Sequence, residues 1–271
     1  MRALPLLLSL TACGPSNLIS ECPKADTAEP DCSCEDSAPV EEIDPVWDGA
    51  LLRVSAPQSG SFLPMESAGH FEAEVRDAAG NPLVWDDIAW SSSADPSWGP
   101  VGASFDDATL GVGRHDVYAT TRLPNGDRLG WTVGGVLVQS LYAGTYTGTI
   151  YVELTVQNNG TPYTSSCAGA TTIIVDMEGH AIAGDSTCLV SLMGADLQLS
   201  LLVDASNDAG AVDGEVALDL GFYQAGLPAT GTLSEGGELL VDFSGDALGY
   251  AQVAGKVDAT RISRDTALSA R

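Results

Sequence analysis

Positive charge is what this chain has least of. Eleven Lys and Arg stand against 37 Asp and Glu, a formal net charge of −26 over 271 residues. So acidic a surface repels polyphosphate and excludes nucleic acid as a partner, leaving cations, basic proteins and neutral glycans. Aromatic residues make up only 6%, too few for the paired interfacial girdles of a transmembrane β-barrel. No apolar run approaches the ~20 residues of a spanning helix. Histidine is scarce as well: His70, His115 and His180 fall at the starts of different expected strands. None belongs to a Gly-x-Ser-x-Gly elbow, a His-Glu-x-x-His helix or a Cys-His arrangement. The acid pairs Asp86-Asp87 and Asp106-Asp107 would point to opposite faces of a strand and could not converge as glycosidase carboxylates do. The expectation is therefore a protein without catalytic activity.

Present in excess are glycine, at 30 residues, and apolar side chains, at 44%. Together they predict packed cores joined by many tight turns. The chain opens Met-Arg-Ala-Leu-Pro-Leu-Leu-Leu-Ser-Leu-Thr-Ala-Cys-Gly. Arg2, a short apolar run from Ala3 to Leu10 and small residues before a cut have the layout of a secretory signal. The quartet Leu10-Thr11-Ala12-Cys13 resembles the lipobox of bacterial lipoproteins. That resemblance implies removal of residues 1–12, acylation of Cys13 and attachment to a membrane of the bacterial envelope. Gly14 stands where an aspartate would favour the inner membrane, which points to the outer one. Losing Arg2 takes the net charge from −26 to −27.

Residues 13–49 hold Pro23, Pro30, Pro39 and Pro45, with acids from Glu21 to Asp44 against the single Lys24. With little to bury and much like charge, this segment is expected to be a disordered, semi-stiff tether. Residues 264–271 form a short tail. Of the six cysteines, acylation of Cys13 leaves Cys22, Cys32, Cys34, Cys167 and Cys188. Cys22 can pair with Cys32 or Cys34, leaving one thiol over. A hairpin turn at Glu178-Gly179 pairs Met177 with His180, setting Cys167 opposite Val190 and diagonal to Cys188. One bulge brings the two sulfurs into range, so a Cys167–Cys188 disulfide is expected.

Residues 50–140 read as short strands at Leu51–Ala56, His70–Arg76, Ile88–Ser92, Val101–Phe105, His115–Thr121 and Leu129–Val138, separated by turns such as Ala79-Gly80-Asn81-Pro82 and Pro124-Asn125-Gly126-Asp127. Three stretches carry a resemblance: His70 to Gly80, Ile88-Ala-Trp-Ser-Ser-Ser93 and Leu110-Gly-Val-Gly-Arg-His-Asp-Val-Tyr118. They look like bacterial immunoglobulin-like modules, with Trp90 and Tyr118 at the family's core-strand and late-strand places. The resemblance implies an immunoglobulin-like β-sandwich without a disulfide.

Residues 141–263 alternate strongly in Ile150–Val156, Leu197–Leu201, Val216–Phe222 and Leu239–Phe243. Turns are expected at Asn159-Gly160, Glu178-Gly179, Asp213-Gly214 and Glu235-Gly236-Gly237, and a recurring Gly-x-x-x-x-Gly rhythm is read as marking strand ends. The whole is all-β, the second domain an antiparallel β-meander closed into a barrel or folded as a second sandwich. No cofactor is expected, with one candidate exception. Asp204, Ser206 and Asp208 followed by Glu215 echo a calcium loop, although Ala209 stands where its turn glycine belongs. Asp77, Asp86 and Asp106 form a second candidate calcium set.

The leading functional expectation is a lipid-anchored envelope protein presenting β domains for binding, adhesion or assembly, its protein or glycan ligand unspecified. One alternative is a small-ligand carrier with a lipocalin-like barrel, whose inward side chains would be small. The other is a glycan-binding accessory module using exposed Trp85, Trp98 and Trp131.

Overall fold

Alternation of apolar and polar side chains, the period that buries one face of a strand, runs through almost every ordered segment. A computed structural model describes residues 44–266 apart from Asn159, Met193, Phe222, Leu248 and Tyr250. The expected acylation site Cys13, the other three N-terminal cysteines, most of the tether and the end of the tail lie outside the described residues.

The first eight strands are β1 Leu51–Ala56, β2 Phe62–Pro64, β3 Gly69–Arg76, β4 Pro82–Leu83, β5 Ile88–Ser92, β6 Ser104–Asp107, β7 Gly113–Arg122 and β8 Arg128–Gln139. They form two four-stranded sheets. In one, β3 pairs with β1 on one side and with β4 and β6 on the other; the second has the order β2-β8-β7-β5. Both sheets turn their apolar faces to one core. Phe71, Ala73 and Val75 of the first meet Trp90, Val117 and Val136 of the second. Phe71 stacks on Phe105 at 5.3 Å and meets the edge of Trp90 at 5.7 Å. The Trp90 indole N–H donates to the Gly102 carbonyl at 2.9 Å, so this large ring is buried without an orphaned donor.

Two departures from the sequence reading have local causes. The strand expected at Val101–Phe105 begins only at Ser104, and Val101 keeps one isolated bridge to Ala89. Pro100 and Gly102, the latter at φ +146°, interrupt the ladder there. Strand β2 pairs in parallel with β8; at three residues it is too short to show alternation.

The next eight strands are β9 Gly144–Asn158, β10 Thr161–Val175, β11 Ala181–Leu192, β12 Ala195–Asp208, β13 Ala211–Asp219, β14 Gln224–Leu233, β15 Glu238–Ala247 and β16 Ala251–Ser263. Each pairs antiparallel with the next, and β16 returns to pair with β9 from Ala251↔Val156 to Ser263↔Thr145. The meander is thus a closed eight-stranded barrel rather than a second sandwich. Its inward positions carry large apolar side chains, with Tyr146, Ile150, Ile173, Leu201, Leu227 and Leu239 fully buried. An eight-stranded barrel is just wide enough for such side chains to fill it.

Glycines on the inward phase make the tight closure possible. A Cβ at Gly148 would strike the Asp258 carbonyl, and one at Gly231 would strike that of Leu240. The Gly-x-x-x-x-Gly rhythm therefore marks close strand approach as well as strand ends. The same holds for Asp213-Gly214, expected as a turn but lying inside β13, where Gly214 packs on the Ala205 backbone. The reversal falls instead at Ala209-Gly210, both at positive φ. The buried Asn207 side chain holds it, accepting from Gly210 N–H at 2.9 Å and donating to the Gly179 carbonyl at 2.7 Å.

Cys167 and Cys188 are joined by a disulfide across β10 and β11, with Cα atoms 5.8 Å apart. The ladder has the expected register, Val175↔Ile182 to Thr171↔Ser186, and ends before the cysteines. The turn is longer than two residues, closed by Gly179 N–H on Asp176 O and Asp176 N–H on Ala181 O.

In urea unfolding of the full chain, Leu227→Ala is expected to cost about 2–5 kcal/mol through the cavity it leaves. Replacing both bridged cysteines by alanine should cost about 2–4 kcal/mol by freeing the unfolded chain. A loss below about 1 kcal/mol for Leu227→Ala would contradict a filled interior.

Candidate functional site

The groups able to carry chemistry stand apart from one another. His70 Nδ1 lies 2.7 Å from Asp106 Oδ1 on an exposed face. His115 is fully buried, its Nδ1 2.7 Å from Ser92 Oγ and its Nε2 2.8 Å from the Gly111 carbonyl. Ser92 Oγ in turn accepts the N–H groups of Ala94 and Asp95, so this serine braces a loop inside the core. His180 Nδ1 faces the Asn207 carbonyl at 3.3 Å.

The three tryptophans singled out for glycan binding do not share a face. Trp98 is buried in the two-sheet core, and half-buried Trp85 packs edge-on against Trp47 while donating to Thr121 Oγ1 at 2.7 Å. Trp131 alone is well exposed, at 45%.

The candidate calcium residues are strung along a flat hairpin. Asp204, Ser206 and Asp208 occupy successive outward positions of β12, and Glu215 faces Asp204 from β13. Outward neighbours on one strand sit roughly 6.8 Å apart, so these oxygens line a surface instead of wrapping a point. Among the described residues no three His, Cys, Asp or Glu come together as a metal-holding group. In the second candidate set, Asp77 is taken up by Asn81 and Ala79 in its own turn, while Asp106 pairs with His70.

What β12 does present is an apolar residue on the wrong face. Leu201 points into the barrel and is fully buried; Leu202, next to it, points out and is 58% exposed. Its cross-strand partners are Asp185 on β11 and Ala217 on β13. Along β12 it is followed by Asp204, and Glu215 and Asp219 flank Ala217 on β13. One exposed leucine is thus set among Asp185, Asp204, Glu215 and Asp219. Small neighbours leave a hollow on each side of it. One, of about 650 Å³, is lined by Thr172, Ile174, Ala183 and Asp185 among others; the second, of about 370 Å³, by Ser200, Ala217, Gln224 and Gly226.

Carboxylates dominate the electrostatics of this part of the wall. Asp204 and Glu215 face each other directly, an arrangement of like charges that costs stability. The Asp219 carboxyl is held below the usual carboxylate range by the backbone N–H of Gly221 and the side chain of Gln224. Outward acids over an apolar interior are the inverse of a transmembrane barrel, which turns apolar residues to lipid. No helix among the described residues is long and apolar enough to cross a membrane.

No protein-family model matches this chain, and no curated protein is significantly similar to it.

The confrontation of Asp204 with Glu215 predicts that Glu215→Gln stabilises the fold by about 0.2–1 kcal/mol at low ionic strength. Urea titrations with and without salt check this, since screening must shrink the gain. A loss of stability would show that Glu215 has a favourable partner instead.

Proposed function

We propose that this chain is a lipid-anchored, non-catalytic protein of the bacterial envelope, a spacer-borne binding module whose barrel wall is the docking surface. The observation that carries this reading is Leu202 among four carboxylates on a barrel with a filled interior. Apolar side chains occupy the lumen, so recognition falls to the outside. An exposed leucine supplies contact area, and the acids around it select a cationic partner.

The N-terminal quartet ending in Cys13 and the acidic segment behind it support the anchor. Acyl chains on Cys13 would hold at a membrane a protein whose own charge opposes anionic lipid. A self-repelling tether would keep the folded region clear of the surface. The two sheets that share one core fit an immunoglobulin-like module serving as a rigid stage between tether and barrel.

A second reading, a small-ligand carrier of the lipocalin-like kind, is favoured by the closed eight-stranded wall. The packing of Leu201, Leu227 and Leu239 inside it argues against a ligand chamber.

Expression in a bacterium fed an alkyne-bearing fatty acid tests the anchor. The full chain should take up label and sediment with membranes, whereas Cys13→Ser should lose both. A mature protein whose N-terminal peptide still runs unmodified from Met1 through Cys13 overturns it. For the wall, a fluorescent peptide alternating Lys and Leu should bind the full chain and weaken about tenfold or more with Leu202→Ser, a change of at least 1.4 kcal/mol. Equal binding by wild type and variant rules out the wall as the docking surface.

A further inference from the structure

Cations are so few that the surroundings of each described one can be followed in turn. Arg76 pairs with Glu74 at 2.7 Å and Arg114 with Asp265 at 3.3 Å. Arg261 donates to the Leu141 and Glu235 carbonyls, and Arg264 lies over the Phe62 ring at 4.0 Å. Arg53 and Lys256 stand opposite Glu74 and Asp242 in their ladders. Arg122 and Arg128 are different. They face each other across β7 and β8, both exposed, and neither belongs to an ion pair among the described residues.

Two like charges directly opposite cost stability, in a chain with 37 carboxylates that could have neutralised them. The nearest acid in sequence, Asp127, is engaged by Asn125 Nδ2 at 2.8 Å within the intervening turn. The pair edges a hollow of about 470 Å³ on the outer face of the second sheet, with Asp87, Ala89, Thr120 and Leu129 among its other lining residues. Ile88 pairs with Thr121, so Asp87, one residue earlier, comes beside Arg122. The Thr121 hydroxyl donates to the Asp87 carbonyl at 2.5 Å and accepts from the Trp85 indole, which pins the Asp87 backbone to β7. Asp87, Arg122 and Arg128 thus form one row across three strand positions spaced by roughly 4.8 Å.

A row of one carboxylate and two guanidiniums has the charge pattern of a receptor for a small zwitterion. The guanidiniums offer forked donors to an oxyanion, and the carboxylate accepts from an ammonium group. Net charge supports the same choice. A chain at −26 repels an anion before it reaches the arginines, whereas a neutral zwitterion approaches without that penalty. The hollow is ample for an α-amino acid, and Ala89 gives its side chain an apolar contact.

We propose that the Asp87–Arg122–Arg128 hollow binds a small ammonium–oxyanion zwitterion, its oxyanion on the two arginines and its ammonium on Asp87. This site is separate from the barrel wall and does not depend on the lipid anchor.

Amide NMR titration of the full chain reads the site through Ala89, Thr120 and Arg128. L-Leucine and phosphoethanolamine carry the same zwitterionic chemistry from two sources, a free amino acid and a lipid headgroup. At least one should shift these resonances with a Kd on the order of 1 mM, and the tighter of the two names the source. N-acetylleucine lacks the ammonium and leucinamide lacks the carboxylate; each should bind at least tenfold more weakly. Arg122→Gln with Arg128→Gln should abolish binding while unaffected distant resonances report an intact fold, and Asp87→Asn should weaken it tenfold. The proposal is overturned if neither zwitterion shifts these resonances at tenfold higher concentration, if N-acetylleucine binds equally, or if the arginine variant binds as wild type does.

Discussion

The pairing of β9 with β16 decides what the C-terminal half of this molecule can be. Twelve residue pairs, from Ala251↔Val156 to Ser263↔Thr145, join the first and last strands of the meander. Once joined, every strand has a neighbour on both sides, although the β10–β11 and β14–β15 ladders stop at Thr171↔Ser186 and Ala229↔Phe243. A partner therefore meets no free edge strand, and the proposed docking rests on side chains. Closure also divides those side chains sharply. Inward ones pack to fill the lumen and outward ones meet water; Leu189, Leu202, Leu240 and Ile262 break that division, and Leu202 does so among four carboxylates. The N-terminal sheets are open by comparison, and β5 keeps one side with only the isolated bridge to Val101.

Much of this architecture was legible because alternation is a direct record of which face is buried. Leu51–Ala56 and Ile88–Ser92 were read to the residue, and the register of β10 on β11 followed from the position of Gly179 alone. Glycine was the residue most often misread. At Gly214 and Gly231 the sequence offers the same letter that marks a turn, but the cause there is a neighbouring backbone too close to admit a Cβ. That closeness is a product of barrel curvature and leaves no local signature. Short strands such as Phe62–Pro64 were missed because three residues cannot display a period, and a parallel partner lies far along the chain.

The candidate site was half legible. Its acids were visible and suggested a calcium loop, but the spacing rule behind that suggestion assumes a chain that curls. An extended hairpin spreads the same residues along a surface. Leu202 was open to discovery, since Leu201-Leu202 is a doublet within a strictly alternating run and one of the two must face outward. The Arg122–Arg128 pair could be seen only from the register of β7 on β8, which the Pro124–Asp127 turn fixes through the Leu123–Asp127 hydrogen bond.

Charge then separates the two surfaces by what each can select. Long-range attraction draws any cation toward so acidic a protein and falls off within a Debye length, about 8 Å at physiological salt. It raises encounter rates without distinguishing one basic partner from another. In the proposed docking, discrimination on the barrel wall would come from contact, where the exposed leucine and its flanking hollows supply shape that the carboxylates lack. On the opposite kind of surface, the paired arginines act against the background field of the whole chain. Only a ligand that reaches them without net negative charge, or that carries its own compensating ammonium, escapes that field. In the proposed site, the scarcity of positive charge in the sequence is therefore what would give two adjacent arginines their selectivity.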